Sequence, residues 1–523
     1  MRLKPFFILF VTAVIVISTS LPGRAQNAPR DPEIVKEQFK TVASRLDAGG
    51  DLLVVANIEG LLKAYIDQIV QLSSLGFAAA ASAGGAPPID NPFERISPFL
   101  DKSGLYAVEG FGMSLVPRED GLNDAKTFLS RDATAAGRPL WRALVGFKPF
   151  RPTSLDYIPR DAVLAQTSTG EPAQLWKLIR QGIREVGTPE MAQGFEASLD
   201  MMAGELGVSM DDLFRSMKGD SFLSIQLSES EEITIPMGMP GMEMKLDLPS
   251  LLIGVVVEND SLVTALEHQM TKKNMPVVKS TVNGVVLRSV NLPIPSPIPL
   301  QLTFTSHAGM FLFGTTPDSV KSALSSAKKK NGLVTTAHYK EMFDDLPMEN
   351  NGMSYMSPRL GRLITEIQTK SMQGAQGMPG MPPVGLMRNM MGAGGDQTSA
   401  SITLNRKSGI ATRGVTSTGI KDMGSSMAMA PMGMMAAIAI PSFIKARTTS
   451  QHHSCVNNLR ILDAAKEQWA MEKNKSDGDA VEMKGMLNYV RDRVMPKCAQ
   501  GGTYSINSIG DPPTCSEPKH SLR

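Results

Sequence analysis

Five stretches of the chain share one pattern, a short apolar or β-branched run followed within a few residues by apolar positions at helical spacing. They begin at Gly50, Arg160, Pro249, Ala308 and Asn350, and each predicts a strand, a polar turn and a helix. In the second, Leu175, Ile179 and Ile183 fall at i, i+4 and i+8 on one helix face. In the fourth, Asp318 follows Pro317, which predicts a helix start with an acidic first turn.

Between these units "GLYAVEGFGMSLV", "RALVGFKPF", "DSFLSIQLS", "GVVLRSVNL" and "LQLTFTS" predict further strands. "SASITLN" and "GIATRGVTS", joined through Arg406, Lys407 and Ser408, predict a hairpin that closes the body. The expected class is α+β, with largely antiparallel sheets and helices on one face. Spacings between the units are too uneven for a solenoid.

The chain opens with Arg2 and Lys4, an apolar run from Phe6 to Ile17, Pro22, and small residues at Gly23 and Ala25. That order predicts an export signal over 1–25, cleaved after Ala25, and hence a periplasmic or extracellular location. The body then spans 26–420, a Met/Ala-rich linker 421–440, and a C-terminal module 441–523. Its layout resembles that of a group of bacterial extracytoplasmic proteins known as a domain of unknown function, a resemblance that carries no catalytic residue with it.

The 53 basic and 51 acidic residues give +2, and loss of Arg2, Lys4 and Arg24 with the signal changes this to −1. Such a balance gives no basic groove, so nucleic acid is not an expected partner. No nucleophile elbow, phosphate-binding loop or zinc-protease helix is present, and six histidines leave few general bases. No catalytic residue, cofactor site or metal site is therefore expected. The alternative class is a binder of Cu(I) or an apolar ligand through Met-rich stretches, such as that holding Met237, Met239, Met242 and Met244.

In the last part of the chain, Cys455, Leu459, Leu462, Ala465 and Trp469 lie three or four apart, which predicts a long helix from Pro441 with one apolar stripe. Phe443 and Ile444 extend that packing face upstream. A second short helix over "AVEMKGMLNYVRDRV" and a strand over "GTYSINSIG" follow, the strand flanked by Cys498 and Cys515. Bridging those two cysteines closes a loop of about 18 residues, worth about 3 kcal/mol, and leaves Cys455 as the odd thiol. A Cys455–Cys498 pairing is the alternative. His452, His453 and Cys455 form an isolated "HHSC" group, read as solvated histidines beside a buried cysteine.

"AAIAIPSFIKAR", "CVNNLRILDAAKEQWAMEK" and "CAQGGTYSINSIGDPPTCS" together resemble the type IV pilins and the G-type pseudopilins of type II secretion. The resemblance implies a long helix with a small sheet packed on its second half, and partners in a secretion or pilus-like assembly. The family's leader glycine, its glutamate and its ~20-residue apolar half-helix have no counterpart here, so the resemblance is to the globular half.

Overall fold

The computed structural model describes residues 32–84, 92–146, 148–236, 243–291, 300–374, 396–419, 454–490, 493–498, 501–517 and 521–522. The chain forms two compact units, Met1–Met427 and Ala428–Arg523, divided within the stretch expected to link them. The expected export signal, Met237, Met239, Met242, the Met-rich run 375–395, Phe443, Ile444, His452 and His453 lie outside the described residues.

All five strand-turn-helix units are present. They are β1 (Leu52–Asn57) with α2 (Leu61–Gly84), β4 (Ala162–Ser168) with α5 (Pro172–Val186), and β6 (Glu243–Val257) with α8 (Ser261–Lys272). The last two are β10 (Met310–Gly314) with α9 (Pro317–Lys329), and β11 (Gly352–Met356) with α11 (Pro358–Gly374). Thr316 caps α9 by accepting from the Ser319 amide, with Pro317 and Asp318 in the first turn.

These strands join β2 (Val108–Pro117), β3 (Asn123–Arg131), β5 (Met217–Pro236), β7 (Val278–Val282), β8 (Val285–Asn291), β9 (Gln301–His307), β12 (Ser399–Arg406) and β13 (Gly409–Thr416) in one sheet. Its order is β1-β2-β3-β13-β12-β11-β4-β5-β6-β10-β9-β8-β7. Each described pairing is antiparallel. The β12–β13 hairpin does not close the edge of the sheet. With β11 it fills the middle, pairing β13 with β3 and β11 with β4.

Helices cover both faces, not one. Gly110 and Gly112 in β2 have no side chain where α1 (Pro32–Ala43) and the turn after it bring Val42 and Leu46 against the strand. Phe111, on the opposite face by strand alternation, packs with Leu129, Trp141 and Ile410. Trp141 belongs to α4 (Pro139–Val145), a helix where "RALVGFKPF" predicted a strand. Pro139 starts it and Gly146, at φ +71°, ends it.

On α5 the buried positions are Trp176 and Leu178, whereas Ile179 is 42% exposed. The face expected from Leu175, Ile179 and Ile183 is rotated because Trp176 stacks on Phe214 at 4.9 Å and donates through Nε1 to Asp211. Phe214 and Asp211 lie on α7 (Met210–Ser216), and Arg180 ties Asp211 to Glu196 of α6 (Pro189–Leu206). Met244 lies in β6, so the strand pair extends into the Met-rich stretch.

The body's largest core gathers Leu155, Ile158, Leu252, Leu312, Val320 and Ile402 with two tyrosines, Tyr339 and Tyr355. Burial raises both phenols to about 12. Between pH 10 and 12 the unfolded chain ionises these groups while the native body keeps them protonated, so stability falls as pH rises through that window. Below pH 10 they exert no such effect, and the total loss is about 3 kcal/mol per tyrosine. A phenolate absorbance titration will show at least two of the seven tyrosines ionising only with unfolding, and ordinary titration of all seven would contradict this.

Candidate metal centre built from three cysteines

The described part of the second unit is built on helix 454–472, here α12. Its expected stripe is the buried one: Cys455, Leu459, Leu462, Ala465 and Trp469 are all buried. Leu462, Ala465 and Trp469 pack with Met486, Val490, Ile506 and Ile509, so the stripe is covered from within the unit. The second helix is only one turn, α13 (Met483–Met486), followed by a 3-10 turn over Leu487–Tyr489. Gly485 supplies the close approach, since a Cβ there would lie 2.5 Å from Trp469 Nε1.

The expected strand is likewise shorter. Only β14 (Tyr504–Ser505) pairs, with β15 (Thr514–Cys515). Asn507 turns to φ +56° and donates through Nδ2 to the Pro512 carbonyl, which bends the chain out of the ladder.

Lys466 holds that bend from beneath. Its side chain is fully buried on the helix and Nζ donates to the Ser508 carbonyl at 3.2 Å and to the Asp511 carbonyl, with Asp463 Oδ1 at 3.4 Å. A lysine on an otherwise apolar stripe could be recognised in sequence, but its carbonyl partners more than forty residues away could not. Lys466→Met keeps the stem's packing and strands those acceptors, and is expected to cost about 2–3 kcal/mol. Thermal unfolding of this unit checks it, and an unchanged midpoint would contradict it.

Chain folding brings all three cysteines to one point. The Sγ atoms of Cys455, Cys498 and Cys515 lie within 4.8 Å of one another, with Cys455 and Cys498 buried and Cys515 half-buried. Cys498 and Cys515 are thus neighbours, as the expected bridge requires, but no disulfide is formed among the described residues. Cys455, set apart in the sequence reading, shares their site. The spacings of 43 and 17 residues match no familiar ligand motif, which is why the cluster escaped that reading.

The Tyr504 hydroxyl donates to Cys455 Sγ at 3.3 Å. Asn458, one helical turn after Cys455, donates through Nδ2 to the same phenol oxygen at 3.2 Å and to the Lys497 carbonyl at 3.2 Å. The phenol oxygen therefore accepts from the amide and turns its own proton to sulfur. Burial pushes the Cys455 thiol up to about 12, opposed by the Tyr504 hydrogen bond, and burial raises Tyr504 as well. Gly502 passes so close that a Cβ there would sit 2.7 Å from Cys515 Sγ.

The cluster is three cysteine side chains around a phenol. Such a set can form one disulfide or hold a thiophilic ion. Among the described residues no imidazole or carboxylate joins it, and no helix is long and apolar enough to cross a membrane. No protein family matches the chain, and neither does any curated protein or solved structure.

Proposed function

We propose that the chain is an exported, non-enzymatic structural or interaction protein whose C-terminal module, similar to the G-type pseudopilins, docks on a type II secretion or pilus-like assembly. The observation that supports this reading is α12, a long helix whose apolar stripe is covered by a short helix and a two-stranded ribbon from the same unit. A helix with a small sheet on one side is what the resemblance to the globular half of those subunits implies.

Leu459, Leu462 and Trp469 are consumed inside the unit. Docking therefore falls to the outer face of α12, where Ile461 is 40% and Met471 is 73% exposed, and to the upstream apolar run carrying Phe443 and Ile444. A photo-crosslinking residue at Ile461 of the full chain, in the envelope of the producing cell, is expected to capture a pilin-class subunit. Crosslinking no different from that of a probe at the exposed body position Met201 would sink the reading.

A further inference from the structure

We infer that Cys455, Cys498 and Cys515 together form a tris-thiolate site for a divalent zinc-class ion. Zinc bonded to three sulfurs at about 2.3 Å in a tetrahedral arrangement sets them about 3.8 Å apart. Sulfurs already within 4.8 Å of one another reach that spacing through small side-chain shifts.

Two observations favour use of all three sulfurs over a bridge between two. First, the Tyr504 hydroxyl, oriented by Asn458, is aimed at Cys455 Sγ, the sulfur that a Cys498–Cys515 bridge leaves out. A donor fixed on a sulfur is the outer-shell support that a metal-bound thiolate needs. Second, the three cysteines come from α12, the segment before the ribbon and β15, so one ion ties the helix to both ends of the segment that carries a ribbon of two-residue strands. Small units with little to bury are commonly held by such a staple.

The charge balance selects zinc over Cu(I). Binding breaks three S–H bonds, releases three protons to solvent and forms three Zn–S bonds without any change of oxidation state. Three thiolates with a divalent ion carry a net charge of −1, whereas with Cu(I) they carry −2, which a half-buried site tolerates less well. Water completes the coordination.

The test is a Co(II) titration of the reduced, metal-free full chain under anaerobic conditions, followed by displacement with Zn(II). The expected result is one Co(II) per chain, with a thiolate-to-metal charge-transfer band that Zn(II) removes. Cys455→Ser should lower that band by about a third and weaken Zn(II) binding at least tenfold. Tyr504→Phe retains all three sulfurs, so it should keep the full band while weakening binding about 10–100-fold. Absence of the band in the reduced wild-type chain, or an affinity that neither substitution changes, overturns the site. A thiol titration of the unreduced, unfolded chain finding one thiol, alongside an absent band, would assign the pair to a disulfide instead.

Discussion

A chain ended after Asn350 is expected to lose the cooperative fold of its body, although it retains ten of the thirteen strands of the large sheet. The missing strands, β11 to β13, lie between β3 and β4, and their removal leaves a three-stranded fragment and a seven-stranded one with raw edges. Met353, Tyr355, Ala400, Ile402 and Val415 leave the core with them. At about 1.5–3 kcal/mol for each large side chain, the loss approaches 10 kcal/mol, the stability of a whole domain. Near-UV circular dichroism and thermal unfolding read this out. A chain ended after Met427 is the control and is expected to keep the body's transition, because the division into compact units falls there. Cooperative melting of the shorter chain at the control's midpoint would contradict the role given to the central strands.

The second large effect is expected from Trp469→Ala. Trp469 is 3% exposed and is the largest side chain in the small core of the second unit, against Met486, Val490, Ile506 and Ile509. Truncating a buried tryptophan costs about 3–5 kcal/mol, and a unit closed by one helix and a short ribbon has little reserve. The variant should unfold this unit at 25 °C while leaving the body's melting unchanged. In the variant tryptophan fluorescence follows the body alone, since Trp141 and Trp176 both belong to it, and far-UV circular dichroism follows the melting of both units. A variant that retained both transitions would show that the tail's core is not where the structure places it.

How far the fold is legible in the sequence depends on whether a signal is local. The five strand-turn-helix units and the β12–β13 hairpin were legible because each carries its own periodicity and turn residues. The β7–β8 hairpin was also within reach: Asn283 and Gly284 turn at φ +51° and +82°, as an Asn-Gly dipeptide between β-branched residues announces. β3, "NDAKTFLSR", gives almost no local signal, because its place is fixed by β2 on one side and by β13, almost 300 residues later, on the other. The Trp176 face of α5 was likewise set by partners on α6 and α7.

The candidate site divides in the same way. The stripe from Cys455 to Trp469 could be read from spacing alone, and the structure buries it as expected. Cys498 and Cys515 could be read as neighbours because they flank one ribbon. The addition of Cys455 could not, since it depends on how the ribbon folds back on α12. The partners of Lys466 were hidden for the same reason, its acceptors being two carbonyls of a distant bend.

The engagement of a pilin-type assembly proposed for the C-terminal unit is open to direct measurement by co-sedimentation. Isolated pilus or pseudopilus filaments of the producing cell would be pelleted with the full chain and, separately, with the chain ended after Met427. Saturable pelleting of the full chain and none of the shortened one is expected. Equal pelleting of both chains, or of neither, would contradict it.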